Sequence, residues 1–183
     1  MKLRPIELML AMFVFMSFEN SHGQRLLEGR FDYVSLSRPV ALCAADFNGD
    51  GYADIAVASA HRGAMQILHN AGNAVFSPGQ TLTVGKNPQD VAAADLDNDG
   101  RPDLVVAVTG NNHLKVFFNN GQGQLEKSLD LLSGNWPVDL LLEDVNRDGL
   151  TDIIVANSLN DGVTIFYNKG QRRFSIMNNF RTG

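Results

Sequence analysis

The stretch "DLDNDGRPD", residues 95–103, decides how the chain is read. Asp95, Asp97, Asp99 and Asp103 crowd around Gly100, and like charges at that spacing repel one another. "DFNGDGYAD" and "DVNRDGLTD" have the same form, and the three leading aspartates, Asp46, Asp95 and Asp144, are 49 residues apart. Pro39, Pro88 and Pro137 keep that register, as do Asn70, Asn119 and Asn168 and the glycines Gly23, Gly72, Gly121 and Gly170. Leu27, Phe76, Leu125 and Phe174 keep it too, with no insertion or deletion from Gly23 to Phe174. A fixed period of this length is the signature of a repeat architecture.

Each acidic stretch lies between two short runs of small or β-branched residues. "VALCAAD" (40–46), "VAAAD" (91–95) and "VDLLLED" (138–144) precede it; "DIAVAS" (54–59), "DLVVAV" (103–108) and "DIIVAN" (152–157) follow it. A third run comes next, "AMQILHN" (64–70), "HLKVFFN" (113–119) and "GVTIFYN" (162–168), and then a less regular fourth, "FSPGQTLTV" (76–84), "LEKSLDLL" (125–132) and "FSIMNNF" (174–180). Apolar runs of this length, punctuated by Gly, Asn and Pro, read as strands, and no helical period interrupts them. Four strands per unit predict an all-β chain: a partial β-propeller of three four-stranded antiparallel blades, at about 39–86, 88–135 and 137–183. "LLEGRFDYVSL" (26–36) matches the fourth strand and predicts one extra N-terminal strand over 26–37.

The start of the chain, "MKLRPIELMLAMFVFMSFENSHGQ", joins Lys2 and Arg4 to an apolar run from Leu8 to Phe18 and the small residues Ser21 and Gly23. This is the pattern of a cleaved signal peptide over 1–23, too short for a membrane span, with the repeat region as 24–183. Glu7 argues against it, and the register of Gly23 and Leu27 offers a worn repeat as the alternative. Export predicts a secreted, periplasmic or extracellular protein. The net charge of −5 gives a nucleic-acid partner no electrostatic support. The one cysteine, Cys43, excludes an internal disulfide and a cysteine metal site, and its apolar neighbours predict a buried small residue.

In the nine-residue frame, positions 1, 3, 5 and 9 carry side-chain oxygens in every copy. They are Asp46, Asn48, Asp50 and Asp54; Asp95, Asp97, Asp99 and Asp103; Asp144, Asn146, Asp148 and Asp152. Position 6 is Gly51, Gly100 or Gly149, which permits the sharp turn. Hard oxygen donors in this number suit Ca²⁺, which takes about 6–8 of them, better than the smaller and stiffer shell of Mg²⁺. The main-chain carbonyl of position 7, Tyr52, Arg101 or Leu150, would add one more. Up to three calcium ions are predicted, one per repeat, and the second loop is expected to bind tightest because Asp97 stands where the others have Asn. An EF-hand would need an acid at position 12 and a helix; position 12 here is Val57, Val106 or Val155, inside a predicted strand.

The pattern Asp-x-[Asp/Asn]-x-Asp-Gly-x-x-Asp-[Ile/Leu], the proline seven residues before it, and Asn-x-Gly-x-x-x-[Phe/Leu] after the third strand together resemble the FG-GAP/VCBS-type repeat. That repeat is the calcium-loop blade of integrin alpha-subunit propellers and of many bacterial exported proteins, and the bacterial VCBS-like variety fits better. The Phe-Gly and Gly-Ala-Pro landmarks of the integrin repeat are not clear in this sequence. The resemblance implies calcium at the hairpin between the first two strands of each blade, with a structural role and no chemistry of its own.

No Gly-x-Ser-x-Gly or Walker loop is present, and His22, His61, His69 and His113 share no metal spacing. Trp136 stands before Pro137 where the other copies have Arg38 and Asn87; it reads as a packed aromatic or as a ring free to stack on a sugar. "KGQRRF" (169–174) reads as a solvated basic turn. The function expected is therefore non-catalytic binding of a protein or glycan outside the cytoplasm. The alternatives are a lectin-like sugar-binding module and a fragment or scaffold of a larger propeller-containing enzyme. Three blades cannot close a ring, so either a homo-oligomer completes the propeller or the array is longer.

Overall fold

In the computed structural model the described residues are 36–72, 75–159 and 162–181, leaving aside the side chains of 127, 128 and 177–181. The chain divides into two units, Met1–Asp32 and Tyr33–Gly183, and every described residue belongs to the second. The signal-peptide reading of 1–23 lies outside the described residues, as does nearly all of the extra strand expected over 26–37. Of that strand only Leu36 and Ser37 are described, and they form a bend.

The described chain is all β apart from one turn of 3₁₀ helix, Thr109–Asn111. Blade 1 holds β1 (Pro39–Ala45), β2 (Asp54–Ser59), β3 (Ala64–Asn70) and β4 (Phe76–Thr83). Blade 2 holds β5 (Pro88–Ala94), β6 (Asp103–Val108), β7 (His113–Asn119) and β8 (Leu125–Leu132). Blade 3 holds β9 (Pro137–Glu143), β10 (Asp152–Asn157), β11 (Gly162–Asn168) and β12 (Phe174–Arg181). Each set forms one four-stranded antiparallel sheet in chain order, and together they are the blades of a partial propeller.

The first strands of successive blades, β1, β5 and β9, are neighbours and form the inner edge of the array. Each begins with proline, which has no N–H to offer and so suits the start of a strand. Each blade bulges between that proline and the following pairs, as at Pro39/Ala41 and Pro88/Asp90, and a bulge adds local twist.

The core lies between blades. Leu104, Val106 and Val108 of β6 face Ala56, Met65 and Ile67 of blade 1, while Val105 and Ala107 face Ile153, Val155 and Phe166 of blade 3. Alternation along β6 therefore feeds two cores, which is why every residue of that strand is buried. Cys43 packs against the first of these cores but is half-buried rather than buried. Burial, with a smaller push from the Asp90 carboxylate, raises its thiol to about 12.

Candidate metal centres at the first hairpin of each blade

The acidic stretches connect β1 to β2, β5 to β6 and β9 to β10. Position 4 of each loop is left-handed at Gly49, Asn98 and Arg147 (φ 77°, 64° and 63°), and position 6 at Gly51, Gly100 and Gly149 (φ 87°, 85° and 85°). A Cβ at any position-6 glycine would meet nothing within 4 Å, so backbone conformation and not space selects glycine there.

These two reversals turn main-chain amides inward onto the position-1 carboxylate. Asp46 accepts from the N–H groups of Gly49, Asp50 and Gly51 at 2.7, 3.1 and 2.8 Å. Asp95 accepts from Asp99 and Gly100, and Asp144 from Asp148 and Gly149. Position 5 accepts from the position-7 amide in each loop, as in Tyr52 N to Asp50 at 2.8 Å.

Position 9 is placed differently. Asp54, Asp103 and Asp152 are fully buried. Each accepts one N–H from position 2 of its own loop and one from the asparagine that ends the third strand. For Asp103 the donors are Leu96 at 3.0 Å and Asn119 at 2.8 Å. Phe47 and Asn70 serve Asp54; Val145 and Asn168 serve Asp152. Expected from the sequence as metal ligands, these carboxylates act in the structure as staples that tie the loop to the sheet. A carboxylate has about four lone-pair directions, so two accepted bonds leave capacity for a cation.

Position 3 divides the loops. Asn48 donates its amide to Asp50 at 2.9 Å, and Asn146 donates to Asp148 at 3.0 Å. Asp97 has no proton to give. Two arginines compensate: Arg101 pairs with Asp99, and Arg172, from the β11–β12 turn of the next blade, pairs with Asp97 through Nη2 at 2.7 Å and Nε at 2.8 Å. Arg172 also lies over the Phe118 ring, 4.4 Å from its centre. "KGQRRF" is thus more than a solvated turn, because one of its arginines reaches another blade.

Among the described residues, Asp95, Asp97 and Asp99 form the acidic group whose ligand oxygens lie within 4.8 Å of one another, and they could hold a metal ion. The other loops carry two aspartates and one asparagine at these positions. Asp97 Oδ1 is buried and has no hydrogen-bond partner. Burial, and then the charges of Asp97 and Asp99, push Asp103 up to about 6. Asp99 is raised as well, first by desolvation and then by Asp97. A buried unpartnered carboxylate oxygen among like charges fits a cation.

The opposite end of the blades carries Trp136, 42% exposed. Arg38, Asn87 and Trp136 all have left-handed backbone (φ 57°, 55° and 62°), uncommon for residues other than glycine. The carbonyl of each accepts from the β2–β3-type turn of its own blade: Ala60, Thr109 and Ser158 donate at 3.3, 3.1 and 3.0 Å. The Asn112 side chain accepts from Trp136 N at 2.9 Å. His69 and His113 lie on strands, His69 beside Asp54 at 3.2 Å.

The FG-GAP-like repeat model matches residues 46–106 and 97–155, and the chain belongs to that family. Among solved structures, the chain is similar to an Agrocybe aegerita lectin described as specifically recognising non-reducing terminal N-acetylglucosamine. That match has 27% identity and a TM-score of 0.55, over 75% of this chain and 37% of the lectin. BBS1N, solved in complex with ARL6DN, matches at 19% identity and a TM-score of 0.54, over 82% of this chain and 43% of that one, and shares the fold. The Vibrio cholerae biofilm matrix protein Bap1 matches at 27% identity, with a TM-score of 0.41, over 76% of this chain and 24% of that one. The chain thus spans less than half the length of each of these structures. No curated protein matches it in sequence. Among the described residues, no helix is long and apolar enough to cross a membrane.

Proposed function

We propose that the chain is a non-catalytic, calcium-stabilised binding module that works outside the cytoplasm, and that its ligand is a glycan. The observation that carries the calcium reading is the buried, unpartnered Oδ1 of Asp97 within the Asp95–Asp97–Asp99 cluster. Asp103 and the Arg101 carbonyl complete the proposed set in the second loop. The corresponding groups are Asp46, Asn48, Asp50, Tyr52 and Asp54 in the first loop, and Asp144, Asn146, Asp148, Leu150 and Asp152 in the third. Calcium would offset the repulsion within each loop and stiffen the hairpin. Millimolar calcium outside cells suits such a module, since extracellular sites bind at about 10⁻⁴–10⁻³ M. Calorimetric titration of the chelator-stripped chain tests this: heat at up to three sites is expected, and no calcium heat together with an unchanged unfolding temperature overturns it.

The glycan reading rests on Trp136, an exposed ring on a main chain held by hydrogen bonds at both its N–H and its C=O. An aromatic face of this kind stacks on the C–H face of a pyranose. The likeness to a lectin supports the choice of a sugar over a protein ligand. A glycan array that includes terminal N-acetylglucosamine, read with the chain and with Trp136→Ala, is the test. Binding lost in the variant supports the reading; binding to a protein extract but to no glycan overturns it in favour of a protein ligand. Glycosidase activity in the purified chain would overturn the non-catalytic part.

A further inference from the structure

Lys115, Asp130 and His113 break the repeat. The matching residues are Gln66, Thr81 and Ala64 in blade 1 and Thr164, Asn179 and Gly162 in blade 3, and none of those carries a charge. The structure brings the three together. His113 and Lys115 stand two residues apart on β7, and Leu132 and Asp130 are their cross-strand partners on β8. Side chains two apart on a strand share a face. This face is turned toward blade 1, because Phe117 of the same row enters the core between blades 1 and 2. The four residues line a cleft of about 320 Å³ at the end of the blades away from the acidic loops. Thr83 to Gly85, where the chain leaves blade 1, form its other wall.

At the same place in the second joint the polar groups are closed off within the fold. Gly162 and Thr164 are buried, and Asn157 donates to the Thr164 hydroxyl at 3.0 Å. His113 has no such partner. It is 7% exposed, and among the described residues no hydrogen bond reaches its ring. Buried polar side chains are nearly always hydrogen-bonded, so an open imidazole at a cleft calls for a partner from outside. Gly85 (φ 118°) keeps the ring clear: a Cβ there would stand 3.8 Å from His113 Cε1 and 3.0 Å from Val108 Cγ1. Lys115 and Asp130 pair at 3.1 Å; the lysine is mostly withdrawn from water, while the aspartate is 59% exposed.

We propose that this cleft is a sugar subsite of its own, separate from Trp136, and that it takes an uncharged mono- or disaccharide. The subsite rests on the glycan reading above but uses none of the same residues. Its chemistry selects the ligand. An ammonium donates, a carboxylate accepts and an imidazole does either, so the ligand must offer both donors and acceptors at closely spaced atoms. The ammonium and the carboxylate cancel in charge, so a charged ligand gains no net attraction. Leu132, 74% exposed, adds an apolar surface for a C–H face. Vicinal hydroxyls on a pyranose meet all three demands. The volume lies at the lower end of the roughly 300–1,000 Å³ of small-ligand sites, which suits a short sugar rather than a long chain.

The test is a titration followed by NMR at the His113 ring and at the Trp136 indole. The probes are glucose, galactose, mannose and N-acetylglucosamine at millimolar concentration, with glucuronic acid and glucosamine as charged controls. At least one uncharged sugar should shift the His113 signals to saturation, and more tightly than either charged control. Lys115→Met and Asp130→Asn should each weaken that response about tenfold, the loss of one charge-assisted hydrogen bond, while the unfolding transition stays cooperative. Trp136→Ala should leave it unchanged. No saturable response at His113 overturns the subsite, whatever the indole does, and so does a response that survives both Lys115→Met and Asp130→Asn. Tighter binding of a charged control overturns the choice of an uncharged ligand. A response at His113 with a silent indole upholds the subsite and overturns the Trp136 reading instead.

Discussion

The first and second acidic loops have nearly the same backbone and solve the same electrostatic problem in opposite ways. In the first, Asn48 donates to Asp50, and the loop is satisfied from within. In the second, Asp97 can only accept, and charge balance comes from Arg101 in the loop and Arg172 in the next blade. The residue matching Arg172 one repeat earlier is Gly123, where an added Cβ would stand 3.1 Å from the Cβ of Asn48. At the first joint Asn48 thus faces Gly123, and at the second Asp97 faces Arg172. An added ligand charge is not a simple gain in cation affinity when the fold brings its own guanidinium to it.

Substitutions can break or sharpen this comparison. The largest effect belongs to what the loops share. Asp103→Ala leaves two buried main-chain amides without an acceptor and should cost about 3 kcal/mol at roughly 1–3 kcal/mol per orphaned group, and Asp54→Ala should cost a similar amount. Thermal unfolding in chelator measures it; a loss well under 1 kcal/mol in both variants would remove the staple role.

Arg172→Ala comes next. With the guanidinium gone, calcium should bind the second loop several-fold more tightly, in line with a partly exposed ion pair worth roughly 1 kcal/mol, and the other loops should not respond. Weaker binding in a titration of the variant would mean that Arg172 holds Asp97 in place for the ion rather than competing with it. Gly100→Ala places a side chain at φ 85° in open space, so its cost is conformational, about 1 kcal/mol by denaturant unfolding. The smallest effect is Asn48→Asp, which gives the first loop the charge of the second without its arginine. The metal-free chain should lose roughly 0.5 kcal/mol, as for like charges on neighbouring side chains, while calcium affinity at that loop rises. Adding Gly123→Arg should bring the calcium affinity back down, but not the stability back up, because a Cβ there meets the Cβ of residue 48 at 3.1 Å on left-handed backbone (φ 72°).

The fold was legible because the period of 49 repeats both hydrophobic alternation and punctuation, so each blade's strands could be read from the other two. The candidate ligands at positions 1, 3 and 5 were legible for the same reason, since loop geometry is local. Three features were not. Arg172 and Asp97 are 75 residues apart and meet only because blades stack, which no local pattern encodes. The double role of Asp103 depends on the N–H of Asn119, delivered by strand pairing across the sheet. Leu42 and Val91 sit at matching repeat positions in similar apolar runs, yet one faces solvent and the other a neighbouring blade, and only the assembled array tells them apart. The arginine pair could have been suspected from one signal: Asp97 and Arg172 each break a repeat position held by an uncharged residue in the preceding copy.

The left-handed residue before each strand-opening proline has a consequence for how such a chain changes over generations. Its carbonyl is anchored in every blade, its backbone angle hardly varies, and its side chain is exposed whether it is Arg38, Asn87 or Trp136. A guanidinium, an amide and an indole are displayed from one mount at three stations. Swapping the displayed group leaves the mount untouched, so recognition can drift blade by blade while folding stays the same.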